Sequence, residues 1–169
     1  MDNLAVINES NIEILNMGRA SVKHNWVLFA LCDLLKQKIE YPCAVFAEQS
    51  YKWAKDDASF RIPDISVSCN PTTSNGKDLD CVPWFIVEVL SPNTQAIDRN
   101  EKMEMYAKIG VEEYWLVDPE LEVIEMYLNE NRKMVLKSTL KNPQSVTLLS
   151  RSVTLDVSRI FDCKIKVLD

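Results

Sequence analysis

Glycine, histidine and closely spaced cysteines are scarce in this chain, and each scarcity excludes a class of site. The three glycines, Gly18, Gly76 and Gly110, are isolated, which excludes the glycine-rich loops that cradle phosphates. The only histidine is His24 and the five cysteines form no CxxC pair, so a zinc site is not expected. An odd cysteine count and a first segment without a basic and then apolar leader predict reduced thiols in a cytoplasmic protein.

Long apolar segments and an excess of positive charge are also lacking. No apolar stretch approaches the roughly 18 residues that span a membrane, so we expect no membrane partner. A net charge of -6 argues against a protein that coats nucleic acid nonspecifically, but it is compatible with a nuclease, whose site must be acidic to hold metal. The 169 residues suit a single domain, residues 1–169.

The pattern of apolar residues predicts an α/β fold of helix, three strands, helix and strand, followed by a mostly antiparallel β extension. The two helices are predicted at residues 21–38 and 98–108, the second ending at Gly110. The four core strands are predicted at residues 43–47, 65–69, 84–90 and 113–117. The extension comprises a hairpin of 123–128 with 133–137, short strands at 146–149 and 152–155, and a short helix at 157–161. Residues 1–16 are expected to form an arm or a short strand.

Glu88 is the residue most out of place, because it interrupts an otherwise apolar strand. A strand of this composition is buried on both faces. A carboxylate there loses its hydration, at an effective cost of several kcal/mol unless something compensates. Pairing with a cation, protonation and a bound metal ion are the three ways to compensate.

Asp64 opens the preceding strand and supplies a second carboxylate. Two adjacent strands with one carboxylate each can place both groups a few ångströms apart, and such oxygen ligands suit Mg²⁺ or Mn²⁺. Without metal, the two carboxylates raise one another's pKa, so we expect partial protonation. The alternatives are a turn residue after proline for Asp64 and a buried salt bridge for Glu88.

Asp98, Lys102 and Tyr106 are spaced by four residues and share one face of the second helix. Asp98, with Glu101 three residues later, is predicted to cap the start of that helix. A lysine that reaches the carboxylate pair would orient a water molecule or neutralise charge developing on a phosphate. The alternative for Lys102 is a solvated helix surface.

Three further residues have two interpretations each. His24 lies on the apolar stripe of the first helix and is either a satisfied core histidine or a catalytic base. Glu48 ends a strand and is either a further ligand or a surface charge. Trp53 lies in a polar segment, where it either packs at the rim of the core or stacks on a base.

Several motifs follow one another in a consistent order and spacing from His24 to the C-terminal strands. They are Pro63-Asp64, Glu88-Val89-Leu90-Ser91-Pro92, Asp98, Lys102, Tyr106, Gly110-Val111 and Glu113-Tyr114-Trp115-Leu116-Val117-Asp118-Pro119. Together these motifs resemble the Uma-two family of restriction-endonuclease-like proteins, which belongs to the PD-(D/E)XK nuclease superfamily.

The resemblance implies a restriction-endonuclease-like core and hydrolysis of DNA phosphodiester bonds with Mg²⁺ or Mn²⁺. It implies metal binding by Asp64 and Glu88, with the Val89 carbonyl and Glu48 assisting. The superfamily's lysine two residues after the glutamate is Leu90 here. The resemblance implies that Lys102 replaces it.

The sequence therefore predicts a metal-dependent DNA endonuclease. Asp64, Glu88 and Lys102 are its predicted catalytic residues, and His24, Glu48, Asp98 and Tyr106 are predicted to support them. A homodimer is expected, since cutting both strands of a duplex often uses two subunits. The alternatives are an inactive nuclease-fold module that binds DNA or protein, and a hydrolase of small nucleotides or RNA.

Overall fold

A computed structural model describes residues 20–52, 62–92 and 95–164. Its helices are α1 (Val22–Lys38), α2 (Gln95–Ile97) and α3 (Met103–Ile109), and a π-helical turn, Asp98–Lys102, joins α2 to α3. Its strands are β1 (Cys43–Ala47), β2 (Ile65–Cys69), β3 (Phe85–Val89), β4 (Glu113–Asp118), β5 (Val123–Glu130), β6 (Lys133–Lys141), β7 (Ser145–Thr147) and β8 (Thr154–Asp156).

The first six strands form one sheet in the order β1-β2-β3-β4-β5-β6. Every neighbouring pair in it is antiparallel except β3 and β4, which are parallel. Parallel neighbours need a crossover connection, which the helical segment 95–109 provides. Strands β7 and β8 form a separate antiparallel pair. The predicted order of a helix, three strands, a helix and a strand, followed by an antiparallel extension, is confirmed.

Helix α1 covers one face of the sheet. Its buried apolar residues, among them Leu31 and Leu35, pack against the odd-numbered residues of β3, such as Phe85 and Val87. The C-terminal segment joins the same core through residues such as Leu155. Side chains alternate between the two faces of a strand, so the even-numbered residues of β3 point to the opposite side.

The helical segment 95–109 covers that opposite face. Ile86 and Leu90 pack there against Tyr106 of α3 and against Tyr114 and Leu116 of β4. Glu88 lies between Ile86 and Leu90 in sequence and shares their face. The predicted burial of the Glu88 strand is confirmed, since all five residues of β3 are buried.

The predicted helix start at Asp98 is wrong. The helix begins at Gln95, whose N–H donates to the Ser91 carbonyl at 3.1 Å. Asp98 lies inside the π turn with a side chain that is only 2% exposed, while Glu101 is exposed to solvent. Because the helix begins before Asp98, the Asp98 carboxylate lies in the protein interior and does not cap the start of a helix.

Two other expectations are corrected. Cys43 and Cys69 are directly opposite each other on β1 and β2 and form a disulfide, so the prediction of reduced thiols is wrong for this pair. Residues 157–161 form turns rather than a helix, and the Asp156 carboxylate accepts from the Ser158 N–H and hydroxyl at their start. The predicted arm at 1–16 lies outside the described residues, as does Trp53.

The strands of the antiparallel extension differ from their prediction only in length and in their ends. The β5–β6 hairpin is longer than expected and turns at Asn131 and Arg132, which both have positive φ angles. The two short strands of the extension begin or end within about two residues of their predicted positions. In the part of the chain that is described, no helix is long and apolar enough to cross a membrane.

Candidate active site

The strand register brings Glu48, Asp64 and Glu88 to one edge of the sheet. Ile65 pairs with Ala47 on β1 and with Val87 on β3. Because both pairings are antiparallel, Asp64, which precedes Ile65, lies level with Glu48 and Glu88, which follow Ala47 and Val87. Hydrogen bonds confirm this row on both sides. The Glu48 N–H donates to the Asp64 carbonyl at 3.0 Å. The Val89 N–H donates to Asp64 Oδ2 at 2.7 Å, which fixes that carboxylate beside β3.

Glu88 is held by two residues of the helical segment. The Tyr106 hydroxyl donates to Oε1 at 2.7 Å, and Lys102 Nζ lies 2.9 Å from Oε2. The Glu88 side chain is 1% exposed. Burial raises its pKa to about 8; Lys102 opposes this rise, while Asp64 and Asp98 add to it. The prediction named mutual repulsion of two carboxylates as the cause, whereas burial is the largest cause of the rise at Glu88 and Asp64 is a smaller one.

Lys102 bridges two carboxylates, since its Nζ also lies 2.8 Å from Asp98 Oδ1. Burial alone would lower the pKa of Lys102, but Glu88 and Asp98 together outweigh that effect and raise it. The Tyr114 hydroxyl donates to the Asp98 carbonyl at 3.0 Å and so fixes the backbone of the π turn. Lys102 therefore contacts Glu88, one member of the predicted carboxylate pair, and its side chain is 24% exposed rather than part of a solvated helix surface.

His24 reaches the site from α1. Its Nε2 lies 3.3 Å from Asp64 Oδ2, and its backbone N–H is capped by the Ser21 hydroxyl at 3.1 Å. The hydrogen bond with Asp64 raises the pKa of His24, and burial only partly offsets this rise. His24 is therefore buried, as a core histidine would be, but it also contacts a candidate metal ligand.

Glu48 is exposed to solvent at the site, whereas Leu90 is buried in the apolar core beside it. Glu48 is exposed, with a φ of 48°, and its described hydrogen bond is made by its backbone rather than its carboxylate. Its charge contributes to the raised pKa of His24, which places the two side chains within electrostatic range. Leu90 is 5% exposed and packs in the apolar core with Ile86 and Tyr106, so a lysine there would meet a dry environment.

The carboxylates fit a hard cation in donor chemistry. Mg²⁺ is commonly bound by one or two carboxylates, with waters and substrate phosphate completing its coordination. Asp64 and Glu88 are such a pair, and the hydrogen bonds described for Asp64 use Oδ2 and leave Oδ1 available. Among the described residues, no group of three or more His, Cys, Asp or Glu could hold a metal ion. A metal here would therefore depend on the carboxylate pair and on backbone or water oxygens.

Sequence reasoning missed an ion pair on the same face of the sheet. Arg99 Nη1 lies 2.5 Å from Glu125 Oε2, and the Tyr127 hydroxyl donates to the same oxygen at 2.7 Å. The side chain of Glu125 is 18% exposed and that of Arg99 is 36% exposed. Alternation along β5 places Glu125 and Tyr127 on one face, but only the sheet order shows that Glu88 shares that face.

A carboxylate pair and a lysine at the edge of a mixed sheet, under a crossover helix, place the protein in the nuclease-fold class. A solved structure supports this class: "Crystal structure of a putative nuclease belonging to DUF820 from Anabaena variabilis ATCC 29413". The two folds agree with a TM-score of 0.67 and 17% sequence identity, over 85% of this chain and 82% of that one.

Residues 9–158 match the Uma2 family, described as "Putative restriction endonuclease". The chain belongs to this family, which is the Uma-two family that its motifs resemble. Two proteins of Synechocystis sp. (strain ATCC 27184 / PCC 6803 / Kazusa) are similar to it. "Uncharacterized protein slr1290" is 28% identical over 117 residues, and "Uncharacterized protein sll1609" is 30% identical over 119 residues. Each match covers 68% of this chain, and it covers 62% of the first relative and 67% of the second.

Proposed function

We propose that this protein is a Mg²⁺- or Mn²⁺-dependent endonuclease that hydrolyses DNA phosphodiester bonds. The observation that carries the proposal is the contact of Lys102 Nζ with the buried carboxylate of Glu88 at 2.9 Å, next to Asp64. Acidic oxygens that can hold a hard cation and a lysine that can face a phosphate are the groups that phosphodiester hydrolysis requires. Membership of the Uma2 family supports the same class of reaction.

Asp64 and Glu88 would hold the metal ion, with the Val89 carbonyl as a further oxygen donor. Glu48 would not be a ligand, because the described carboxylates form no group of three that could hold a metal ion. A bound ion would supply the Lewis acidity that polarises the phosphate and activates water. Lys102 would orient the attacking water or balance the negative charge that develops on the phosphate.

Three supporting residues would keep this geometry. The Tyr106 hydroxyl fixes one oxygen of Glu88, and His24 borders Asp64. Asp98 contacts the same lysine Nζ that contacts Glu88. Each of the three contacts a side chain of the site, so each would act by positioning that side chain rather than by touching the substrate.

Cleavage of supercoiled plasmid in Mg²⁺ or Mn²⁺ tests the proposal. We expect Glu88→Gln and Lys102→Ala to lower the rate by at least about 100-fold, the usual effect of removing one charge-stabilising group. Glu113→Gln is the matched control. Glu113 is also fully buried in a strand, but it accepts from the Trp115 indole and from Leu149 and Ser150, away from the site. Equal rates for wild type and both site variants would refute the assignment.

A second candidate is a nuclease-fold module that binds DNA or protein without cutting. Two observations favour it: both Glu88 oxygens already have partners, and the superfamily's usual lysine position is Leu90. Calorimetric titration with Mg²⁺ and Mn²⁺ separates the candidates. An endonuclease should bind one of these ions, and Glu88→Gln should abolish the heat of binding. Wild type that binds neither ion, yet binds DNA, would establish the module.

We further propose that the protein acts on duplex DNA as a homodimer. Two copies would present two sites to the two strands of a duplex. Sedimentation equilibrium gives the assembly mass directly. A monomer that makes double-strand breaks with first-order dependence on protein concentration would contradict the dimer.

A further inference from the structure

A groove with an excess of positive charge begins beside the candidate active site. It lies between the helical segment 95–109 and the β5–β6 hairpin, and its volume is about 410 Å³. Three cations line it, Arg99, Arg132 and Lys133, together with two carboxylates, Glu101 and Glu104. In a chain with a net charge of -6, a groove with this balance is unusual.

Among the described residues, the two carboxylates of the groove form no ion pair with its three cations. Within residues 20–52, 62–92 and 95–164, neither Arg132 nor Lys133 forms an ion pair, and both are exposed. Glu130, opposite Lys133 on the hairpin, is paired with Lys137 instead.

The carboxylates of the groove oppose these cations only weakly. Glu104 pairs with Lys108 at 2.6 Å, and the side chain of Glu104 is 70% exposed. Glu101 is also exposed, where solvent and salt screen its charge.

Arg99 connects the groove to the site. Glu125, which forms the ion pair with Arg99, lies opposite Leu116 of β4 in the sheet. Leu116 in turn lies opposite Glu88 of β3. Glu125 and Glu88 are therefore two strands apart on one face of the sheet, or roughly 10 Å. Arg99 also follows Asp98, the residue that contacts Lys102. The guanidinium has five N–H donors, and its bond to Glu125 leaves others for a second acceptor.

We propose that this groove binds the phosphate backbone of the DNA that flanks the scissile bond. Arg99 would bind the phosphate nearest the site, and Arg132 and Lys133 would bind phosphates farther along. Arginine suits this role because its planar donors match phosphate oxygens, and Glu125 holds it in a fixed orientation. The proposal rests on DNA being the substrate, as proposed above. It explains how an acidic protein binds a polyanion: the attraction is confined to one groove.

The experiment measures the salt dependence of duplex DNA binding by fluorescence anisotropy, with Ca²⁺ as the divalent ion. The variant is Arg132→Gln/Lys133→Gln, which changes two exposed side chains. The matched control is Lys36→Gln/Lys38→Gln, which removes the same charge from the last turn of α1. Lys38 lies 14 residues beyond His24 in sequence, which is roughly 20 Å along the helix axis.

We expect the groove variant to reduce the slope of log affinity against log salt by about 2, because each lost phosphate contact removes about 0.9. Affinity at 0.1 M salt should fall by about ten-fold or more. The control should keep the wild-type slope. Arg99→Gln should reduce the slope by about 1 in addition. A wild-type slope in the groove variant, or an equal loss in the control, would overturn the proposal.

Cleavage measured on the same preparations separates this proposal from the proposed function. Wild type that binds DNA through the groove but does not cut it would overturn the nuclease and support the groove. Wild type that cuts DNA, with an unchanged slope in the groove variant, would overturn the groove alone. Wild type without any affinity for DNA would overturn both.

Discussion

Replacing Glu88 by glutamine should stabilise the metal-free protein at pH 8. Glutamine has nearly the same shape, and its amide can still bond to Tyr106 without carrying a charge into the core. The Glu88 carboxyl is 1% exposed in the fold, where burial raises its pKa to about 8. In the unfolded chain its pKa returns to the ordinary value of 4.5.

The sign and size of the effect follow from proton linkage. Between pH 4.5 and 8 the folded protein holds a proton on Glu88 that the unfolded chain releases, so stability falls as pH rises. A rise from 4.5 to about 8 corresponds to a loss of roughly 5 kcal/mol across that range. The total free energy of unfolding of a small domain is only about 5–15 kcal/mol. Glu88→Gln should remove most of this loss.

Urea denaturation at pH 5 and pH 8, in EDTA, measures the difference. We expect the two proteins to have similar unfolding free energies at pH 5 and the variant to be more stable by several kcal/mol at pH 8. The comparison with wild type at each pH cancels His24, whose raised pKa also makes stability fall with rising pH. Glu113→Gln controls for loss of a buried carboxylate as such. A variant less stable than wild type at pH 8 would show that Lys102 keeps Glu88 ionised, which would refute the reasoning.

Four further results are expected. Mg²⁺ at pH 8 should raise the melting temperature of wild type but not of Glu88→Gln, measured by calorimetry, because binding only the folded state stabilises it. Tyr106→Phe should cost about 1–2 kcal/mol in urea denaturation, because it removes one buried hydrogen bond; no loss would mean that the bond is not formed. Asp98→Asn should slow plasmid cleavage in wild type but not in Lys102→Ala, and equal slowing in both backgrounds would show that Asp98 does not act through the lysine. His24→Ala should destabilise more at pH 6 than at pH 8, because the ion pair with Asp64 is present while His24 is protonated and is lost as pH rises through its raised pKa.

Local patterns determined most of the core strands. The alternation in 65–69 and the apolar runs around Val45 and Glu88 predicted β1, β2 and β3 to within a residue at each end. The four-residue spacing of Asp98, Lys102 and Tyr106 predicted a shared helix face, and all three side chains meet around Glu88 directly or through Lys102. Periodicity is a local property, so sequence reports it well.

Other features depend on which segments become neighbours. The disulfide requires Cys43 and Cys69 to be opposite one another across β1 and β2, and a count of five cysteines does not show that pairing. The start of the second helix depends on the N–H of Gln95 meeting the Ser91 carbonyl, which overrides the cap pattern at Asp98. His24 is 40 residues from Asp64 in sequence, and α1 must pack on the sheet before they meet.

The sequence by itself determined that Glu88 lies buried in a strand, that Asp64 opens the strand before it, and that a lysine follows on the next helix. Only the tertiary structure decided that Lys102 touches Glu88 and that Arg99 lies beside the same site. The physical reason is that burial follows from the local apolar pattern, whereas contact depends on strand order and register. A carboxylate's neighbours in space, and hence its pKa, are set by chain segments far apart in sequence.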